Sequence, residues 1–269
     1  MTTHTPPTVY IIGAGPGDPE LITRLGYRRL HQATVILYTD SLIPPEMLAD
    51  IDPGVEIIGS ADKTLEEILA IIIDRTRSGH TVARLHDGDP SLYGAIQEQM
   101  MGLLAANIPF EVIPGVSAYQ LAAARLRVEL TLPQQIQTII LTRMSGRIAL
   151  PQPQELASLA AHQASLALYL SAKNITTAET ELLQHYPPTT PVAICYRLGW
   201  PDEQIWLVPL SNLATTSQTH GLTRTVLYLV SPALVLPTVP KIYQGETSTQ
   251  TITPSKLYDA QHDRLFRGG

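Results

Sequence analysis

Val9-Tyr10-Ile11-Ile12 runs directly into Gly13-Ala14-Gly15-Pro16-Gly17-Asp18-Pro19, so an apolar segment is followed at once by a turn of small residues. A second strand-like segment, Thr81 to His86, runs into Asp87-Gly88-Asp89-Pro90. Short runs bounded by such turns are typical of buried strands, and glycine lets a ligand approach main-chain N–H groups closely. The first turn (Gly13–Pro19) and the second turn (Asp87–Pro90) therefore predict a ligand site at one edge of an α/β sheet.

Strands and helices alternate through the first half of the chain, and this alternation predicts a parallel sheet. The clearest helix covers Leu65–Arg77 and begins with a capping box formed by Thr64 and Glu67. A further strand, Phe110–Ile113, runs into Pro114-Gly115-Val116-Ser117-Ala118, which we name the third turn. We also expect strands over Thr34–Tyr38 and Val55–Ile58 and helices over Pro19–His31, Pro45–Ala49 and Leu121–Leu126.

The second half reads as another set of strands and helices, separated from the first by a turn-like stretch at Glu129–Gln135. Its late strands follow one another closely, which favours hairpins and a mixed sheet. We therefore expect an α/β protein of two domains, with a mostly parallel sheet in residues 9–134 and a mixed sheet in residues 135–235. Residues 1–8 and the Pro/Thr/Ser-rich tail, 236–269, are expected to be extended or flexible.

Composition excludes several classes of function. The net charge is −6 and no block is basic enough to bind nucleic acid. The single cysteine, Cys195, lies in an apolar run and cannot form an internal disulfide. No apolar stretch reaches membrane-spanning length. We expect a cytoplasmic protein without membrane or nucleic-acid partners.

The first turn departs from the dinucleotide fingerprint, because its third glycine, Gly17, comes one position early and Asp18 stands in its place. A carboxylate facing a pyrophosphate would repel it. Asp18 followed by Pro19 is also the usual start of a helix, with the aspartate as N-cap. Asp40, at the end of a strand, keeps the alternative of a ribose-binding acid open.

Motifs of other common classes of enzyme are missing from the sequence. The sequence has no zinc-ligand spacing, no G-x-S-x-G and no Walker lysine, so we expect no metal site. His86 precedes the second turn, where it is either a substrate contact or a structural histidine. Arginines near strand ends, such as Arg84 and Arg143, would suit a ligand with many carboxylates if they converge.

With these three turns in this order, nearly the whole chain resembles the tetrapyrrole methylase family. Within the family, three segments most resemble the branch that methylates C11 of precorrin-4 or cobalt-precorrin-4: Gly88–Ile96, Gln137–Arg143 and Tyr196–Glu203. The tail around Ser255–Arg267 resembles the same branch. The resemblance implies two αβα domains, S-adenosylmethionine as methyl donor held between them, S-adenosylhomocysteine as product, and a homodimer. It also implies a role in cobalamin synthesis.

Carried over by position, the resemblance implies a set of donor contacts. They are Pro16, Asp87, Gly88, Asp89, Leu92, Ser117, Ala118, Leu170, Leu198 and Val226. We expect Asp89 to act mainly by positioning at the catalytic centre, and Arg84, His86 and Arg143 to contact the substrate carboxylates. The chain departs from the family pattern at Asp87, where relatives often carry a small neutral residue, and at Ser231, where many carry glycine.

Alternatives remain open at this point. Within the methylases, the methylated carbon is C11 or, alternatively, C17 or C20. Two alternatives come from other functional classes: a nicotinamide-dependent oxidoreductase and a noncatalytic tetrapyrrole carrier. Methyl transfer from a sulfonium needs few catalytic groups, because positioning supplies most of the rate. The absence of a recognisable acid–base motif is therefore compatible with a methyltransferase.

Overall fold

The computed structural model describes residues 8–145 and 150–234, and these form two compact units. One unit comprises the described part of Met1–Leu121 together with Arg197–Glu203, and the other comprises Ala122–Tyr196 and the described part of Gln204–Gly269. The sequence-based domain ranges, 9–134 and 135–235, stay a prediction. Nearly all of segment 1–8 and the whole of the tail, 236–269, lie outside the described residues.

The first unit contains a five-stranded sheet in the order β3-β2-β4-β1-β5, and all of its pairings are parallel. The strands are β1 (Val9–Gly13), β2 (Val35–Tyr38), β3 (Glu56–Gly59), β4 (Val82–His86) and β5 (Phe110–Ile113). The helices are α1 (Arg24–Leu30), α2 (Leu65–Arg77) and α3 (Ile96–Ala105). α4 (Ala118–Leu126) begins in this unit and continues past Leu121 into the other. The predicted parallel sheet is confirmed.

The two faces of this sheet carry different helices. Leu30 of α1 packs with Ile12 and Leu85 in one core cluster. Residues of α2 and α3, including Ile72 and Leu103, pack in another cluster on Val9, Ile11 and Val82. The chain therefore leaves the adjacent strands β1 and β4 toward opposite faces. Their carboxyl ends form the topological switch point, where open α/β sheets bind ligands.

Local sequence signals account for most of these elements. α2 has the predicted capping box, in which Thr64 accepts from Glu67 N and the Glu67 carboxylate accepts from Thr64 N. The single helix expected over Pro19–His31 is wrong. A 3-10 turn at Pro19–Leu21 ends at the extended residue Ile22, and Thr23 then caps α1 by accepting from Gly26 N at 3.0 Å. A second capping residue within the segment thus divides it.

The second unit contains a mixed sheet in the order β6-β7-β10-β8-β9, as predicted. β6 and β7 are parallel, and the other neighbours are antiparallel. The strands are β6 (Ile139–Arg143), β7 (Ser165–Tyr169), β8 (Pro191–Tyr196), β9 (Gln204–Pro209) and β10 (Val226–Val230). The helices are α5 (Leu156–Ala160), α6 (Ile175–Leu182) and α7 (Leu213–Thr219). Cys195 is buried in β8, in agreement with its place in an apolar run of the sequence.

Gly13 and Gly115 pack against each other and against the Gly88 carbonyl oxygen, without room for a Cβ on either Gly13 or Gly115. A Cβ on Gly13 would lie 2.6 Å from Gly115 Cα and 2.8 Å from the Gly88 carbonyl oxygen. A Cβ on Gly115 would overlap that same oxygen and lie 2.9 Å from Gly13 Cα. Because the neighbours are backbone atoms, they cannot move aside without shifting a strand end.

We predict that Gly115→Ala lowers the free energy of unfolding by about 3 kcal/mol, since the new methyl group collides with two strand exits. Denaturant titration measures the effect. Gly79→Ala is the matched control, because a Cβ added at that position, where φ is +93°, would have nothing within 4 Å and would bear only backbone strain. The control should cost about 1–2 kcal/mol. Equal costs for the two variants would contradict the close packing of the three turns.

Candidate functional site

The first and second turns are joined to each other by main-chain hydrogen bonds. Ala14 N donates to His86 O at 2.8 Å. Gly15 and Gly88 exchange a reciprocal pair, with Gly15 N to Gly88 O at 3.2 Å and Gly88 N to Gly15 O at 2.7 Å. Both glycines have positive φ, +81° and +61°, so a residue with a side chain would be strained here. The carboxyl ends of β1 and β4 are thereby fixed at the switch point.

Asp89 ties the second turn to the third. Its carboxylate accepts from Gly115 N at 2.9 Å through one oxygen, and from Ser91 N at 2.8 Å and Ser91 Oγ through the other. Burial raises the pKa of this carboxyl, but hydrogen bonds from Ser91 and Gly115 outweigh burial and hold the pKa below its ordinary value. Asp89 thus holds the second turn to the third, while its expected positioning role at the catalytic centre stays a prediction.

The remaining donor contacts expected near these turns lie close to them. Leu92 N donates to Asp89 O at 3.1 Å, which folds the second turn back toward α3. Ser117 is buried, and its N–H donates to Gln120 Oε1 at 2.8 Å at the start of α4. A Cβ on Gly88 would lie 3.9 Å from Ser117 Cα. Residues of the second and third turns that are far apart in sequence therefore meet at one edge.

Arg84 and His86 lie in the interior beneath this edge. The guanidinium of Arg84 donates to Ser60 Oγ at 2.9 Å and to the more distant Gln99 Oε1 at 3.4 Å. Burial lowers the pKa of Arg84 to about 10, so it remains charged at neutral pH. Burial, with the nearby charge of Arg84, lowers the pKa of His86 to about 3, so its imidazole is neutral. The predicted contact of both side chains with substrate stays a prediction, and their burial favours a structural role.

The loop Arg197–Glu203, between β8 and β9, belongs to the first unit and covers the first turn. A Cβ on Gly17, where φ is +146°, would lie 2.6 Å from Trp200 Cδ1 and 2.7 Å from the Leu198 carbonyl oxygen. Leu198, an expected donor contact, is thereby placed beside the first turn. Sequence reasoning did not foresee this packing. The only local signal is a glycine next to an aromatic residue, Gly199-Trp200, in a hairpin loop.

Contacts within the loop Arg197–Glu203 hold it in one conformation. The Arg197 guanidinium lies 3.9 Å from the centre of the Trp200 ring and pairs with Asp202 at 2.7 Å. Gly199 N donates to Glu203 Oε2 at 2.6 Å, and Glu203 N donates to Trp200 O at 3.0 Å. A loop stabilised in this way presents a constant surface to the first turn.

Three other expected site residues lie at a common edge of the second sheet. Arg143 ends β6 opposite Tyr169, and Leu170 follows at the end of β7. Val226 begins β10, whose antiparallel register with β7 continues toward Leu170. Leu170 is 71% exposed and has φ +52°, an unusual state for an apolar side chain. The Arg143 guanidinium donates to Met144 O at 3.0 Å and is half-buried.

The two carboxylates that bear on a dinucleotide site, Asp40 for it and Asp18 against it, both serve the fold. Asp40 accepts from Ser60 N at 3.0 Å and Ala61 N at 2.8 Å, so it fixes the exit of β3. Asp18 accepts from Glu20 N at 3.0 Å as the N-cap of a 3-10 turn. Within residues 8–145 and 150–234, no cluster of three potential metal ligands occurs. In the same residues no helix is long and apolar enough to cross a membrane.

Comparison with known proteins places these features in context. The family model of Tetrapyrrole (Corrin/Porphyrin) Methylases matches residues 8–214. Precorrin-4 C(11)-methyltransferase of Pseudomonas aeruginosa is 40% identical over 262 residues, covering 97% of this chain and 99% of that protein. Cobalt-precorrin-4 C(11)-methyltransferase of Priestia megaterium is also 40% identical over 262 residues, covering 97% and 98%.

Solved structures of proteins with tetrapyrrole substrates in their names also resemble this chain. The X-ray structure of a cobalt precorrin-4 methyltransferase superposes with a TM-score of 0.82 at 40% identity, covering 85% of this chain and 96% of that one. Uroporphyrin-III C-methyltransferase of Thermus thermophilus, solved as a complex with S-adenosylhomocysteine, has a TM-score of 0.70 at 27% identity, covering 84% and 92%. The predicted resemblance to this family is confirmed.

We predict that Asp89→Asn lowers the free energy of unfolding by about 2 kcal/mol near pH 7, because the amide cannot accept from both Gly115 N and Ser91 N. The pKa of Asp89 is depressed in the folded state, so this contribution is present above the unfolded pKa of about 4. It is lost as the pH falls through the lower folded-state value. Denaturant titrations at several pH values should show the difference from the unmodified protein shrinking below about pH 4.

Asp52→Asn is the matched control for Asp89→Asn. Asp52 is exposed and accepts one backbone hydrogen bond, from Gly54 N at 2.7 Å, within its own turn. Its substitution should cost less than about 1 kcal/mol. A cost at Asp89 no larger than at Asp52, or one that does not diminish in acid, would contradict the role of Asp89 in joining the second and third turns.

Proposed function

The chain belongs to the tetrapyrrole (corrin/porphyrin) methylase family, and on that premise we propose that it transfers a methyl group from S-adenosylmethionine to carbon C11 of precorrin-4 or cobalt-precorrin-4, in cobalamin synthesis. The observation that carries the proposal is similarity along the whole chain to relatives that bear the C11 name. The fold, with its three turns at one switch point, agrees with that similarity.

The residues present fit a donor of this kind. The turns around Gly13, Gly88 and Gly115 expose backbone at the carboxyl edge of a parallel sheet, where small polar ligands bind. We propose that the amino-acid part of the donor is held near Asp87, Gly88, Asp89 and Leu92, and that Pro16, Ser117, Ala118, Leu170, Leu198 and Val226 provide the remaining contacts. When bound, S-adenosylmethionine supplies an electrophilic methyl group on a sulfonium centre and becomes neutral S-adenosylhomocysteine.

Catalysis in this proposal is mainly positioning. Hydrogen bonds from the third turn to Asp89 and the reciprocal bonds between Gly15 and Gly88 hold the turns in one arrangement. An in-line displacement gains most from such fixed geometry, because reacting atoms must approach along one axis. No residue has to remove a proton before the methyl group moves. Few titratable side chains near the turns are exposed to solvent, and a reaction without acid–base catalysis needs few.

Substrate recognition must use positive charge, because a precorrin carries several acetate and propionate side chains. We propose Arg143 as one partner, since its guanidinium is half-buried at the end of β6 and solvent can still reach it. Arg84 and His86 are weaker candidates, since both are buried. A homodimer in the cytoplasm remains part of the proposal.

Two functions from other classes are less well supported. A nicotinamide-dependent oxidoreductase would need a ribose-binding acid, but Asp40 already accepts two backbone hydrogen bonds. Calorimetric titration with NADH and S-adenosylhomocysteine distinguishes it from a methylase. A noncatalytic carrier of a labile tetrapyrrole would bind substrate without consuming the donor, so the absence of turnover would identify it.

We predict that incubation with methyl-labelled S-adenosylmethionine and a precorrin-4 substrate adds one methyl group at C11. Both the cobalt-free and the cobalt-containing substrate should be supplied, because relatives of each name are 40% identical to this chain. Mass spectrometry counts the added methyl groups, and carbon-13 NMR locates them. A methyl group at C17 or C20 would overturn the C11 assignment and leave the methylase class intact.

We predict that Arg143→Ala raises the KM for the tetrapyrrole by about 10- to 150-fold, since a lost guanidinium–carboxylate contact costs about 1.5–3 kcal/mol. The affinity for S-adenosylhomocysteine should change by less than about twofold, because donor and carboxylate contacts are separate. Arg143→Lys keeps the charge and should recover part of the loss. Equal losses of donor and substrate affinity would contradict this role for Arg143.

A further inference from the structure

Asp87 occupies the switch point of the first sheet. It lies between His86, whose carbonyl accepts from Ala14 N, and Gly88, which is paired with Gly15. Its side chain is exposed, in contrast to the buried His86 before it.

The three aspartates of the first and second turns differ in how their carboxylates are used. Asp18 caps a 3-10 turn, and Asp89 accepts from Ser91 and from Gly115. In the described part of the chain, the Asp87 carboxylate accepts no hydrogen bond from another residue. The fold therefore leaves it available to a ligand, in a place where ligands of α/β sheets bind.

The charge that acts on the Asp87 carboxyl is that of the buried guanidinium of Arg84, three residues earlier in the chain. Among the described residues, Arg84 has no carboxylate within salt-bridge distance, and the hydrogen bonds it donates go to neutral oxygens. Protein atoms around Asp87 raise the pKa of its carboxyl, and the charge of Arg84 opposes that rise. A buried cation beside the site would repel a cationic ligand, and an ionised Asp87 offsets that repulsion.

We propose that the side-chain carboxylate of Asp87 binds the positive charge of the methyl donor. This inference rests on the proposed function and deepens it, since it adds a side-chain contact to those expected from the backbone. The donor carries two cationic centres, the ammonium of its amino-acid part and the sulfonium. A carboxylate within reach of either strengthens binding, because hydrogen bonds and contacts between opposite charges are stronger than neutral ones.

The competing explanation is that Asp87 only neutralises Arg84. In that case removal of the carboxylate would destabilise the fold and leave the affinity for ligands unchanged, because a buried cation that loses its nearest counter-charge is costly. The two explanations differ in a quantity that calorimetry measures directly. Stability and ligand affinity therefore have to be measured on the same variants.

The test compares unmodified protein with Asp87→Asn, which keeps the shape of the side chain and removes its charge. Isothermal titration uses three ligands: S-adenosylmethionine with both cationic centres, S-adenosylhomocysteine with the ammonium alone, and 5′-methylthioadenosine with neither. We expect Asp87→Asn to weaken S-adenosylmethionine binding by about tenfold or more and to leave methylthioadenosine binding unchanged. Asp87→Glu should retain part of the affinity.

S-adenosylhomocysteine, which keeps the ammonium and lacks the sulfonium, shows which cationic centre Asp87 contacts. An equal loss for S-adenosylmethionine and S-adenosylhomocysteine identifies the ammonium, whereas a loss for S-adenosylmethionine alone identifies the sulfonium. Asp74→Asn is the matched control, because it removes the same charge from the last turn of α2, where the exposed Asp74 pairs with the neighbouring Arg75. Its ligand affinities should match those of the unmodified protein.

Unchanged affinity of Asp87→Asn for S-adenosylmethionine overturns the inference, and so does an equal loss for all three ligands. If Asp87→Asn does not fold, Asp87→Ser supplies the same comparison with a smaller neutral side chain. Failure of the unmodified protein to bind any of the three ligands would instead count against the proposed function. The two failures are thereby distinguishable.

Discussion

The contact among Gly13, Gly88 and Gly115 is the constraint on which the candidate site depends. Three strand exits converge there so closely that no Cβ atom fits at either Gly13 or Gly115. Such packing brings main chain from β1, β4 and β5 to a single point at the carboxyl edge of the sheet. Because each exit blocks the movement of the others, the edge keeps one shape without help from a ligand.

Hydrogen bonds also hold these three strand exits together. Asp89 accepts from Gly115 N, and Gly15 and Gly88 exchange main-chain hydrogen bonds. The loop Arg197–Glu203 adds a third restraint, because Trp200 packs on Gly17. A methyltransferase of this kind depends on orientation more than on acid–base groups, so most of the polar groups near the turns serve to hold backbone. Asp87 is the exception, since its carboxylate stays available and sits close to a buried guanidinium.

Prediction from sequence succeeded where the determining signals are local. The capping box at Thr64 and Glu67 and the strand before each turn were read correctly, because caps and apolar runs act on neighbouring residues. The helix over Pro19–His31 was wrong because Thr23 provides a second cap inside an otherwise continuous pattern. The packing of Trp200 on the first turn was not foreseen, because residues so far apart in sequence meet only after the chain has folded.

The sequence by itself determined the class of fold, the order of its elements and the family, since these follow from periodicity, turn residues and motifs arranged along the chain. Tertiary structure alone decided what the charged side chains near the three turns do. Asp87 and Asp89 are two residues apart and chemically identical, yet one holds the third turn and the other remains available. Arg84, expected to face substrate, lies in the interior. The physical reason is that burial and hydrogen-bond partners depend on segments distant in sequence, and no local pattern records which of them will come together.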